Sequence, residues 1–268
     1  MRAISVDEVA REAEALRREV SPPQLAALAR PQPFLSVEGL RAGYSTMEVV
    51  HDFSLHVARG QSLCLIGPNG AGKSTVLHAI FGFARVFSGR ISVGGMDVTR
   101  LSAERKLREA RIAYVLQDKS VFPNLTVEEN LLMGGYLLSP AQARTAAERV
   151  FERYERLAAR RRHPARVLSG GERRLLEIAR ALVMEPEVLL IDEPSIGLEP
   201  RFIDMVFGIL DDLQRREGKT IVMVEQNAKK GLEFADLGYV LVSGELALAG
   251  SGSNLLRNPH VGRLFLGG

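Results

Sequence analysis

The sequence predicts an α/β fold: a mixed sheet whose parallel strands are covered on both faces, with a helical subdomain and an N-terminal helical extension. Three observations predict it. Short apolar runs alternate with helical patterns along most of the chain, the arrangement that produces parallel sheets. Several runs are apolar throughout, among them Leu63-Cys64-Leu65-Ile66, Val188-Leu189-Leu190-Ile191 and Ile221-Val222-Met223-Val224, as strands buried on both faces require. One of them passes through a glycine-rich segment, "GPNGAGKST" from Gly67 to Thr75, directly into a helical pattern.

Residues 1–33 stand apart from the rest. Val6, Val9, Ala10, Ala13, Leu16 and Val20 recur near one helical face, with Asp7, Glu8, Glu12, Arg17 and Arg18 largely elsewhere. Ser21-Pro22-Pro23 and Pro31-Gln32-Pro33 bracket a short Ala/Leu stretch. The segment reads as an amphipathic helix on a stiff proline-containing linker, either a docking element or a loosely attached extension, and the core is expected to be complete from Phe34. Strands are expected over 34–39, 53–57, 61–66 and 91–93, with a helix through 76–81 after the third, and another strand over 112–116. Residues 126–159 are helical in pattern and less apolar, which places a subdomain at about 118–167. Then follow helix 172–183, strand 188–191, helix 201–215, strand 220–224, helix 228–234 and strands near 239–242 and 245–249, all within one domain, 34–268. There is no internal repeat and no low-complexity tract.

Composition excludes several classes. With 268 residues, 46% hydrophobic and 25% charged, the chain has the make-up of an ordinary globular protein with a sizeable core. A formal charge of +3, spread without a stripe, does not point to nucleic acid. The run Arg160-Arg161-Arg162-His163 is the local exception, and a solvated helix end is its plainer reading. A single cysteine, Cys64, excludes an internal disulfide and a cysteine-based zinc site. Neither a signal peptide nor a run of 18 apolar residues is present, so a cytoplasmic protein is expected.

The glycine-rich segment carries the chemistry. Gly67, Gly72, Lys73 and Ser74 match G-x-x-x-x-G-K-[ST]. In such a loop Gly67, Asn69, Gly70, Ala71 and Gly72 leave backbone N–H groups free to curve around an anion, with Pro68, which has none, within the turn. The following helix presents its positive end to the same point. Lys73 adds a full charge for β- and γ-phosphates, Ser74 a hydroxyl for Mg²⁺, and Thr75 a second hydroxyl. A magnesium carboxylate should accompany such a loop. The strand at 188–191 supplies one, because it ends in Asp192-Glu193-Pro194. Consecutive carboxylates at a strand end point to opposite faces, which assigns Asp192 to Mg²⁺ and Glu193 to polarising the attacking water. Upstream, "LSGGERRLLEIARAL" (168–182) opens a helix at Ser169-Gly170-Gly171, with an apolar face of Leu175, Leu176, Ile178, Ala179 and Leu182. It is a second convergence of bare backbone donors, a hydroxyl and a helix N-terminus.

Together these stretches resemble the ATP-binding subunits of ABC transporters, and the resemblance runs from about Phe34 to the C-terminus. It implies a P-loop ABC ATPase core that binds ATP and Mg²⁺, and an ATPase that works in pairs. The signature stretch Ser169, Gly170, Gly171 and Glu172 of one subunit would close on the γ-phosphate held by its partner, a second copy or a paralogue. By the same resemblance Tyr44 would stack on adenine, although an ordinary loop tyrosine remains an alternative. Gln117 would touch Mg²⁺ and link core to subdomain, residues 195–199 would form the subunit contact, and Gln226 would be the switch near the γ-phosphate. Three positions depart from the usual pattern: Gln226 for histidine, Glu172 for glutamine and Glu199 for aspartate. The first two, with "VFPNLTVEENLLMGGY", "DEPSIGLEP" and "VEQNA", resemble the branch that imports branched-chain amino acids, and the related urea and amide importers. Membrane permease subunits, and indirectly a periplasmic solute-binding protein, are the partners this implies, with the chain peripheral on the inner face of the cell membrane. The rival is a soluble ABC ATPase acting on nucleic acid or ribosomes. The roughly fifty residues between Gln117 and Leu168 are too few for the long coiled coil such proteins carry. A GTPase or kinase lacks support, since no N-K-x-D motif is present and the LSGG helix would go unexplained.

Overall fold

In the computed structural model, which describes residues 22–29, 31–117 and 120–265, the apolar runs lie side by side. β3 (Ser62–Ile66), β6 (Ile112–Val115), β7 (Val188–Asp192), β8 (Thr220–Val224) and β9 (Leu237–Val242) are parallel, in the order β9-β3-β8-β7-β6. β10 (Glu245–Ser251) adds to β9 antiparallel. Every residue of β3, β7 and β8 is buried, which is why these strands read as apolar without alternation. The two-residue period sends Leu63 and Leu65 into one core cluster and Cys64 and Ile66 into the cluster on the opposite face.

A second sheet was only partly legible. β1 (Pro33–Tyr44), β2 (Met47–Ala58), β4 (Arg85–Val93) and β5 (Met96–Asp97) form an antiparallel layer in the order β2-β1-β4-β5. β1 and β2 run well past the predicted 34–39 and 53–57. Their pairing shifts register four times between Pro33 and Gly43, and each bulge breaks the alternation that a pattern reading depends on. α2 (Lys73–Phe81) contributes Val76, Leu77 and Ile80 to a core shared with Leu35, Phe53 and Leu55 of this layer. The unpredicted α3 (Ala103–Glu109) has one buried residue, Lys106, and so no apolar stripe to read.

The lobe comprises α4 (Val127–Gly134), α5 (Pro140–Arg153), α6 (Glu155–Ala158) and a 3₁₀ turn, Ala165–Val167. Thr126 with Glu129, and Ser139 with Gln142, form capping boxes that start α4 and α5. The basic run is not simply a solvated helix end. Arg161 pairs with Glu128 of α4 at 2.6 Å and also with Glu148 of α5. The lobe's apolar cluster continues into α7 (Gly170–Leu182) through Leu175, Leu176 and Ala179, while Ile178 of the same helix belongs to the cluster of Cys64 and Ile66 on the parallel sheet. α7 thus joins lobe to core. α8 (Pro200–Arg215), α9 (Ala228–Phe234), α10 (Gly252–Arg257) and α11 (Pro259–Phe265) complete the chain.

The helix predicted over residues 6–20 lies outside the described residues. The stretch read as linker is itself a short helix, α1 (Pro22–Leu28). Leu25, 4% exposed, belongs to the main core, and Gln61 donates its side-chain amide to the Leu28 carbonyl at 3.3 Å. A core complete from Phe34 would therefore lack a buried leucine. Leu25→Ala should lower unfolding free energy by about 2–4 kcal/mol, read by urea denaturation; an unchanged midpoint would show that α1 adds nothing to the core.

Candidate active site

The residues predicted to meet phosphate, metal and water sit at or just beyond strands of the parallel sheet, at their carboxyl ends: the glycine loop after β3, Gln117 after β6, Asp192 and Glu193 at β7, and Gln226 after β8. This edge is where α/β sheets place ligands. A cleft of about 420 Å³ opens there, lined by Asn69 to Thr75, Gln117, Glu193 and Gln226.

The loop is shaped by close backbone approaches. A side chain at Gly67 (φ 150°) would put its Cβ 2.1 Å from the Leu241 carbonyl oxygen. Gly72 (φ 95°) is the N-cap of α2 and brings no side chain to its first turn, leaving that helix end to an anion. Lys73 is buried and donates to the carbonyls of Gly67 at 2.9 Å and Pro68 at 3.0 Å. Burial pushes its ammonium below the usual lysine range, while the charges of Glu193 and Asp192 oppose that shift.

The two carboxylates take different partners. Asp192 accepts from Ser74 Oγ at 3.1 Å through Oδ1 and from the Tyr114 hydroxyl at 3.0 Å through Oδ2. Glu193 instead accepts from Gln117 Nε2 at 2.8 Å. Its backbone is left-handed, φ 45°, a conformation that costs a non-glycine residue roughly 1–3 kcal/mol and clusters at functional sites. Ser74, Asp192 and Gln117 offer only oxygen donors to a metal, the set a hard divalent cation takes. Among the described residues no three His, Cys, Asp or Glu side chains form a metal cluster, so an ion here would draw its remaining ligands from water and phosphate.

Two predicted features lie outside this lining. Tyr44 reaches α2, its hydroxyl 2.6 Å from Nδ1 of His78. Ser169 and Glu172 form a capping box at the start of α7: Glu172 N–H donates to Ser169 Oγ at 3.3 Å, and Ser169 N–H to Glu172 Oε2 at 2.9 Å. The glutamate at the fifth signature position thus has a structural partner, and the Ser169 amide holds its carboxyl below the ordinary range. Gly171 permits Phe202 to approach, since a Cβ there would lie 2.2 Å from that ring. Gly170 faces a separate cavity of about 650 Å³, whose wall includes Gln117 and Ile196 of the first cleft. Glu199 stands exposed at the N-cap of α8, 3.1 Å from Arg201, and caps nothing with its side chain.

Four further residues organise the site, and sequence reasoning missed their roles. Arg174 is buried on α7 beside Glu177 at 2.7 Å, and donates to the carbonyls of Leu116 at 2.8 Å and Asp192 at 3.0 Å. Glu225, 1% exposed, accepts from Ser195 Oγ at 2.7 Å and from the Asn227 amide at 2.8 Å. It ties the segment after β7 to the segment after β8. Tyr114 is the fourth. The available signals were charges set among apolar positions, at 174 and 177 on α7 and at 225 after an all-apolar strand.

The family model for ABC transporters matches residues 50–196. The chain belongs to that family. With membership goes the activity: it is an ATP-binding subunit that hydrolyses ATP. The chain is 41% identical to the high-affinity branched-chain amino acid transport ATP-binding protein BraG of Pseudomonas aeruginosa, over 87% of this chain and 100% of that protein. The probable branched-chain amino acid transport ATP-binding protein LivF of Archaeoglobus fulgidus is 36% identical, over 85% and 96%. The lipopolysaccharide export system ATP-binding protein LptB of Haemophilus influenzae is 33% identical, over 87% and 97%. Among solved structures, a nucleotide-free ATP-binding cassette from an ABC transporter superposes with a TM-score of 0.77 at 27% identity, covering 88% of this chain and 100% of that one. No helix among the described residues is long and apolar enough to cross a membrane.

Proposed function

We propose that this chain powers an importer for branched-chain amino acids or related small polar solutes, using an ATP site shared between two ABC subunits. The observation that carries the shared site is the separation just described. Gly170 of the signature turn lines a second cavity that no residue of the same chain's glycine loop lines. A second subunit, a copy or a paralogue, brings its signature turn to the phosphate held at Lys73, with Ser169, Gly170 and Gly171 as the donors and Glu172 capping the turn. Anionic phosphates then bind donors from both chains, and hydrolysis releases them. Similarity to BraG and LivF supports the branched-chain substrate.

In this reading the loop from Gly67 to Thr75 wraps the phosphates, Lys73 neutralises them and Tyr44 packs on the base. Mg²⁺ belongs beside Ser74, Asp192 and Gln117, where it supplies charge neutralisation for phosphoryl transfer. Glu193 accepts a proton from the attacking water, with Gln117 orienting its carboxylate. Gln226 donates an amide hydrogen bond to a phosphate oxygen and carries no charge. Gln226→His should therefore leave ATP affinity unchanged and preserve or raise turnover, since imidazole makes the same contact and can be charged. Collapse of turnover in a folded variant would mean the glutamine does more than contact phosphate.

A membrane permease is the partner to which closure is passed, with the chain peripheral on the inner face of the cell membrane and a periplasmic receptor bringing solute to the far side. An apolar groove of about 390 Å³ between β6 and α4, lined by Phe81, Tyr114, Phe122, Met133 and Tyr136, is the surface for it. Tyr136 and Met133 are exposed there, beside the loop that carries Gln117. The rival reading on nucleic acid or ribosomes finds no support in the lobe, whose longest described helix has 14 residues. The test is reconstitution with the permease in liposomes. Receptor loaded with leucine should stimulate ATP hydrolysis, and a receptor loaded with urea or an amide separates the related branches. Stimulation by none of them would overturn the importer reading.

A further inference from the structure

The carboxylate of Asp192 is gripped from two sides, and only one grip belongs to the nucleotide motif. Ser74, from the glycine loop, donates to Oδ1 at 3.1 Å; Tyr114 donates to Oδ2 at 3.0 Å. Tyr114 lies on β6, opposite Leu190 of β7 and three residues before Gln117. Its ring packs with the main core rather than with Ala113 and Val115, which face the other cluster.

The ring is seated among His78, Phe81 and Phe83, with centroid separations of 5.6, 5.5 and 5.7 Å. Phe83 is half exposed, while Phe81 and Tyr114 also line the apolar groove beside the lobe. One side chain therefore borders the groove and reaches the buried carboxylate. Facing a carboxylate, which only accepts, the phenol hydroxyl is the donor of this bond.

Carboxylate rotation about the terminal torsion is soft, so an aspartate with one donor can swing. A serine hydroxyl that turns a lone pair to a metal still donates its proton to Oδ1. Oδ2 has Tyr114. We propose that Tyr114 is a positioning residue for the metal-facing carboxylate, fixing the orientation of Asp192 from a seat at the rim of the groove. This rests on the nucleotide-site reading above and adds a residue that the glycine loop and strand-end carboxylates do not include. Outer-shell partners of this kind orient metal ligands, and their removal costs about 10–100-fold in metal affinity or activity.

Tyr114→Phe removes the hydroxyl and keeps the ring in its aromatic seat. The readout is ADP binding titrated against Mg²⁺, without turnover. The variant should need about tenfold more Mg²⁺ for half-maximal enhancement of ADP binding, the lower end of that range, because Ser74 still holds Oδ1. Its ADP affinity in EDTA should equal that of the parent chain. Phe83→Ala, which loosens the seat from its exposed side, should shift the Mg²⁺ requirement the same way by less. An unchanged Mg²⁺ requirement in Tyr114→Phe overturns the proposal. An equal loss of ADP affinity with and without metal also overturns it, since that marks general damage to the site. Failure of the nucleotide-site reading shows elsewhere, as normal ADP binding by Lys73→Ala in EDTA, so the two failures are distinguishable.

Discussion

Lys73→Ala should lose most ATP affinity and essentially all hydrolysis. The lysine is buried at the mouth of α2, with its ammonium held by the Gly67 and Pro68 carbonyls. Alanine removes a full charge from the phosphate position and also the two bonds that brace the loop. Loss of a hydrogen bond to a charged group costs about 1.5–3 kcal/mol, or roughly ten- to a hundredfold in affinity. Bringing phosphates to the site without a counter-charge adds to that. Nucleotide titration with a fluorescent ATP analogue measures the first effect, and phosphate release the second. Unchanged affinity with normal turnover would mean that the glycine loop is not the site.

The parts of the molecule that were legible are those where one local rule governs. The glycine loop was readable because close backbone approach, as of Gly67 to Leu241, admits no side chain, and because Lys73 and Ser74 follow at fixed spacing. β3, β7 and β8 were readable because burial on both faces leaves an unbroken apolar run of four residues in each. Asp192 and Glu193 take different partners, but Glu193 lies past the end of β7 with a left-handed backbone, so its direction is set by that turn and not by strand alternation.

What was not legible depends on partners distant in sequence. Tyr114 reads as one more strand residue until β6 pairs with β7 and brings its hydroxyl to Asp192, 78 positions away. Arg174 reads as part of a polar helix start, yet it is buried and grips carbonyls at Leu116 and Asp192. Leu25 sat in a stretch bracketed by prolines, and only the packed structure shows it in the core. The long antiparallel strands were shortened in the reading because bulges reset their alternation.

Glu193→Gln should bind ATP and Mg²⁺ but turn over slowly. The amide has the size of the carboxylate and still offers an oxygen to Gln117 Nε2, which donates to it at 2.8 Å in this structure. Lys73, Ser74 and Asp192 are untouched. What disappears is the basic oxygen that takes a proton from water, a contribution of about 10²–10⁴-fold. Turnover should fall within that range, while nucleotide affinity stays near that of the parent chain. Unimpaired turnover would remove Glu193 from the chemistry.

Slow turnover also traps the closed state, and the shared ATP site stands or falls on it. The decisive measurement is the molecular mass of Glu193→Gln in solution, by size exclusion with light scattering, with and without Mg²⁺-ATP. It is run on the chain alone and mixed with the paralogous subunit of its transporter. A shared site predicts a monomer without nucleotide and a dimer with Mg²⁺-ATP in at least one mixture, abolished by adding Lys73→Ala. A mass that stays monomeric in both mixtures, with ATP bound and turnover slow, would contradict it.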